Sequence, residues 1–94
     1  NSSAIVDGAA AVVLTTGRVA SAGAADGAAP LGRVVAAAVA GVPAEVMGIG
    51  PVPATVALLR RLNLRTEDID LFEINEAFGA QAESVRRALG VPRE

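Results

Sequence analysis

The run Ile69-Asp70-Leu71-Phe72-Glu73-Ile74, passing directly into Asn75-Glu76-Ala77-Phe78, constrains this chain more than any other stretch. It is short and rich in branched and aromatic side chains, which reads as a strand. A helix pattern follows at once. Phe78, Ala82, Val85 and Leu89 share one face, while Glu83, Arg86 and Arg87 lie off it. Gly90, followed by Pro92, supplies the stop. A buried strand feeding a helix is one βα unit, and Asn75 stands at its junction. Open α/β sheets place their ligand chemistry at that point.

The preceding sequence fits the same class. Ala9 to Thr15 is continuously apolar behind Asp7-Gly8 and reads as a strand covered on both faces. Gly17 to Ala29 carries Gly17, Gly23 and Gly27, so it suits only a poor helix around Arg18 to Ala25. Val34 to Val42 lacks a polar face at helical spacing and is read as a second strand. Pro43 opens an irregular loop through Met47-Gly48-Ile49-Gly50-Pro51. Beyond it, Pro51 or Pro53 suits a first helical turn, and Val52, Val56, Leu59 and Leu62 form an apolar stripe opposed by Arg60 and Arg61. Asn63 can end that helix in a left-handed conformation, and Thr66 is expected to cap the acidic turn that follows. The result is α/β logic, with helices covering a sheet. A start at Asn1 and a last helix with no strand to return to suggest an excised piece.

Composition removes several functions. The chain has 94 residues, no Cys and no His, so it has no thiolate nucleophile, imidazole base or disulfide framework. Lacking disulfides is compatible with a cytoplasmic location. Eight basic against ten acidic residues give a net charge of −2, without the basic footprint that nucleic acid requires. The pairs Arg60-Arg61 and Arg86-Arg87 read as solvated helix faces. Val34 to Val42 falls far short of the roughly 20 residues of a membrane span. The hydrophobic fraction is 52%, but much of it is alanine and only Phe72 and Phe78 are aromatic, so the core is expected to be thin.

Taken residue by residue, the candidates keep two readings each. Asn75 is either the N-cap of the last helix or an amide aimed at an oxygen that gains charge in a transition state. Met47 is either a flexible filler of the core or the lining of a pocket. Phe78 reads as core, or as a pocket wall. Asp70, Glu73 and Glu76 lack a carboxylate partner at suitable spacing. They read as a surface group, a structural hydrogen-bonding residue and a first-turn helix charge. Asp7 fixes the turn before the first strand. Gly48-Ile49-Gly50-Pro51 lacks the third glycine of a dinucleotide fingerprint.

Three segments carry a resemblance: Asp7-Gly8-Ala9-Ala10-Ala11-Val12-Val13-Leu14, Met47-Gly48-Ile49-Gly50-Pro51-Val52-Pro53-Ala54 and Asp68 through Phe78. In order and spacing they resemble the thiolase family over nearly the whole chain. The resemblance implies part of the layered α/β/α/β/α thiolase fold, truncated, with residues 1–27 ending the N-terminal half and 28–94 opening the C-terminal half. It implies acyl transfer between acyl-CoA and CoA, by thiolysis or Claisen condensation, in a homodimer or homotetramer. The CoA thioester is the substrate, and no metal or redox cofactor is needed. Asn75 takes the place of the asparagine whose bound water stabilises the enolate oxygen. Met47 lines the pantetheine channel, Ser3 (in Asn1-Ser2-Ser3) hydrogen-bonds the pantetheine arm, and Phe78 walls the acyl pocket. The family's cysteines and its Gly-His-Pro histidine have no counterpart here, so the isolated chain is expected to be inactive. The alternatives are a non-catalytic α/β binding or scaffold module and, more remotely, a nucleotide-binding domain using Gly48-Ile49-Gly50.

Overall fold

The structure is a computed structural model that describes residues 4–21 and 29–93. They fall into two units, one within Val6–Val35 and the other comprising the residues up to Ile5 and those from Ala36 onward. In the first, α1 (Gly17–Ser21) is a single short turn started by the Ala20 N–H donating to the Thr16 carbonyl at 3.0 Å. The helix expected over Arg18 to Ala25 is helical through Ser21, and residues 22–28 lie outside the described residues.

Among the described residues the second unit is built from two helices and two 3-10 segments, Ala44–Ile49 and Thr66–Asp68. The 3-10 segment Ala44–Ile49 is kinked at Val46 and leads through Gly50 into α2 (Pro51–Leu62). Proline occupies the first turn of α2, where its missing N–H removes no intrahelical bond. At the other end Asn63 takes a left-handed conformation, φ 55°, and the Leu64 N–H reaches back to the Leu59 carbonyl at 2.9 Å. The last helix, α3 (Gly79–Leu89), ends the same way. Gly90 has φ 71°, and the Val91 N–H donates to the Arg86 carbonyl at 3.0 Å. Such endings satisfy carbonyls that a helix leaves orphaned, and both agree with the expectation from Asn63 and Gly90.

Packing joins these pieces. α2 lies on α3, and both touch Ala44–Ile49. The buried side chains among the described residues are Leu59 of α2 with Val85 and Leu89 of α3. Val85 and Leu89 are one turn apart on the same face, so α3 presents a narrow apolar stripe. The stripe of α2 is narrower than expected, because Val56 is exposed.

The expected strands do not form among the described residues. Ala9–Thr15, Val34–Val42 and Ile69–Ile74 are irregular and carry no ladder. A strand is stabilised by N–H and C=O groups of a neighbour, and parallel neighbours must be brought in by long crossovers. None of the three has a strand partner among the described residues. Residues 71–74 nevertheless keep a strand's two-residue alternation: Phe72 and Ile74 are half-buried, Leu71 and Glu73 exposed. Val13 and Val39 are almost fully exposed.

The acidic turn is also organised differently from expectation. Thr66 does not cap it; Arg65 is the N-cap, and its backbone N–H donates to Asp68 Oδ2 at 2.8 Å. That bond, with a second from the Arg65 side chain, holds the Asp68 carboxyl below its usual range.

Val85 is fully buried, so Val85→Ala removes two methyl groups where nothing exposed can compensate. The substitution is expected to destabilise the fold by about 1–3 kcal/mol, measured as a shift in the urea midpoint without a change in slope.

Candidate functional site

The Met47 segment is held close from two directions. A Cβ built on Gly48 would stand 2.9 Å from Gln81 Cγ and 3.3 Å from Gln81 Cβ, so the glycine backbone rests on the stem of that side chain. On the other side, the Gly50 N–H donates to the Met47 carbonyl at 3.1 Å, and a Cβ on Gly50 would meet that carbonyl oxygen at 3.3 Å. Met47 therefore sits between two close backbone approaches, while the residue itself is 66% exposed. It does not fill the core.

Asn75 and Phe78 lie on the approach to α3. The N-cap position belongs to Phe78, with φ −139° and ψ 138° and no side-chain cap bond. Asn75 is exposed three residues earlier, so its amide is not the cap of this helix. Glu76 is likewise outside the first helical turn, contrary to expectation. Phe78 is 56% exposed rather than core. The packing of Ala44–Ile49 on α3 brings the segment bearing Met47 against the helix headed by Phe78. Asn75 lies on the irregular segment leading to it, and Ser3 lies outside the described residues.

Gln81 was not singled out by sequence reasoning. The signal was its register: it precedes Val85 by four and Leu89 by eight, so a polar side chain stands on the apolar stripe. Its Oε1 is buried and accepts no hydrogen bond among the described residues. A cleft of about 1000 Å³ runs between residues 69–74 and the face of α3 bearing Ala82, Glu83 and Arg86. Met47, Asn75 and Phe78 do not line it. No cluster of acidic side chains suited to a metal ion occurs among the described residues. No helix there is long and apolar enough to cross a membrane.

Electrostatics concentrate at the far end of α3. Glu83 accepts from Arg86 Nε and Nη2 at 2.9 and 3.0 Å and from Arg87 Nε at 2.6 Å. These bonds, Arg86's first and then Arg87's, hold the Glu83 carboxyl at about 2. The same pairing raises the Arg86 guanidinium above its ordinary value. Arg86 Nη1 also donates to the Val91 carbonyl, tying the chain after the helix back onto it.

Comparison with known proteins assigns the class. Residues 28–94 match the sequence profile described as thiolase, C-terminal domain. The chain belongs to the thiolase family. It is 51% identical over 94 residues to a 3-ketoacyl-CoA thiolase of Bacillus subtilis, covering all of this chain and 23% of that protein. A 3-oxoadipyl-CoA/3-oxo-5,6-dehydrosuberyl-CoA thiolase of Escherichia coli is 49% identical over 92 residues, covering 98% of this chain and 22% of that protein. An acetyl-CoA acetyltransferase of Escherichia coli is 48% identical over 94 residues, covering 100% and 23%. The chain thus spans under a quarter of the length of these curated relatives. No solved structure matches it.

Glu83 gives a pH prediction. Its carboxyl is held at about 2 in the fold against an ordinary value of 4.5, so folding favours the ionised form. The contribution is complete above about 4.5 and is lost as the pH falls toward about 2. Glu83→Gln is expected to remove that part of the acid destabilisation, seen as a flatter thermal midpoint across this window than in the unsubstituted protein.

Proposed function

We propose that these residues form part of a thiolase-type acyltransferase, with Asn75 as one component of a site that other segments complete. The observation that carries this reading is the position of α3. Because the helix begins at Gly79, the Asn75 amide is not committed to capping and is left exposed at the turn before it. An amide there suits holding a water against an oxygen that becomes anionic. Donors of this kind stabilise charge as it develops and need not be titratable. The in-order identity to thiolases over the whole chain supports the same assignment.

On this reading the substrates are acyl-CoA and CoA, and the reaction is thiolysis of a 3-ketoacyl-CoA or the reverse Claisen condensation. The acyl group is carried on a cysteine thiolate, and an imidazole handles the proton. Neither group exists in these 94 residues, so they come from elsewhere in the full-length protein. Met47 lines the pantetheine passage, Phe78 walls the acyl end and Ser3 holds the pantetheine arm. No metal or redox cofactor enters. The layered sandwich fits the exposed apolar segments around Val13, Val39 and Leu71, which layers of helix and sheet would cover. The boundary between thiolase halves is placed after residue 27. Homo-oligomerisation follows the family.

Two measurements test the reading. Asn75→Ala in the full-length protein is expected to lower kcat for acetoacetyl-CoA cleavage by about 10²–10³-fold with a smaller change in KM. Unchanged kcat would remove Asn75 from the site. The 94-residue chain alone is expected to show no CoA-dependent loss of the acetoacetyl-CoA enolate absorbance, since losing the nucleophile removes most of the rate. A binding or scaffold module would leave the full-length protein inactive as well.

A further inference from the structure

The contact between Gly48 and Gln81 has a role that neither residue's chemistry announces. Gln81 places a polar side chain on the apolar stripe of α3, with its Oε1 buried and without a donor among the described residues. Burying an unpaired carbonyl oxygen is costly, so hydrogen bonding does not explain the residue. Its stem does have a partner. The Gly48 backbone lies so close to Gln81 Cβ and Cγ that a methyl group on Gly48 would meet the Cγ at 2.9 Å. Cγ is anchored one bond from Cβ, and so close to the helix backbone it has little freedom to swing away.

We infer that Gln81 is a positioning residue for the Met47 segment: its aliphatic stem sets how near Ala44–Ile49 approaches α3, and so how wide the pantetheine passage is. This rests on the functional reading above, in which Met47 faces that passage. Two close contacts flank Met47, the Gln81 stem under Gly48 and the Gly50 N–H on the Met47 carbonyl. The second is internal to the loop and travels with it. The first ties the loop to α3, the helix entered through Asn75 and Phe78. A loop displaced here moves Met47 relative to those residues without touching the reacting atoms. The consequence is a change in CoA binding rather than in chemistry.

The test is a cycle of variants in the full-length protein, read as KM for CoA and kcat in acetoacetyl-CoA thiolysis. Gly48→Ala pushes the loop away from α3 and is expected to raise KM about tenfold with kcat within about threefold, the signature of lost uniform binding. Gln81→Ala removes the stem and raises KM by about three- to tenfold. In the double variant the methyl group added at position 48 occupies the space the stem vacated. KM then returns to within about threefold of the parent, a strongly non-additive result. Gln81→Met keeps the stem and loses only the amide, so KM stays within about twofold of the parent. Should Gly48→Ala fail to accumulate, Gln81→Ala against Gln81→Met carries the test.

Additive KM effects in the double variant, or equal KM values for Gln81→Ala and Gln81→Met, overturn the proposal. A kcat loss that dominates in Gly48→Ala overturns it too. If the unsubstituted full-length protein shows no acyl-CoA turnover, the functional reading has failed and the inference falls with it. An active parent with an additive cycle removes the inference alone.

Discussion

The packing of Val85 and Leu89 of α3 with Leu59 of α2 holds the second unit together, since these are the buried side chains among the described residues. Fully burying an aliphatic side chain is worth roughly 1.5–3 kcal/mol, so three of them leave little margin. The helix ends therefore matter more than they would in a larger core. Both helices close with a left-handed residue and a backbone bond reaching back five residues. Arg86 strengthens the second closure from its side chain, holding the Val91 carbonyl while paired to Glu83. Thus the narrow stripe of α3 and the clasp behind it hold α3 against α2 and Ala44–Ile49 within this unit.

How far the sequence could be read depended on whether a signal was local. Prolines in the first turn of α2, Asn63 and Gly90 act on their own backbone, and the structure places each in its expected role. Ile69–Ile74 carries strand composition and Val34–Val42 lacks a polar helical face, yet a strand's stability lies in a neighbour's backbone. Composition could not show that no neighbour would be found among the described residues. Phe78 reads as core but is exposed for a related reason. Spacing from Ala82 gives the register of a helix but not its first residue, and here that register begins one residue too late to include Phe78.

The candidate site divides along the same line. Asn75 and Met47 stood out because a short motif surrounds each. Gln81 did not, because its importance is a contact with a glycine more than thirty positions away, and a glycine records close approach only by lacking a side chain. The register of Gln81 on the stripe held the clue. A polar residue four before Val85 needed an explanation that no local rule supplied.

These two kinds of residue also differ in what fixes them. Met47 is pinned by Gly50 within its own loop and by Gly48 on α3, both inside one unit. Asn75 has no comparable support from regular structure, since residues 71–76 are irregular and precede the helix rather than belonging to it. A donor that stabilises a developing anion works only if it is oriented beforehand, because reorganising it during the reaction gives back the gain. On the proposed reading, then, Asn75 can act only when residues 69–74 are paired in a sheet that aims the amide. Strand pairing then becomes a precondition for this residue's role: the neighbour that completes the ladder also orients the amide.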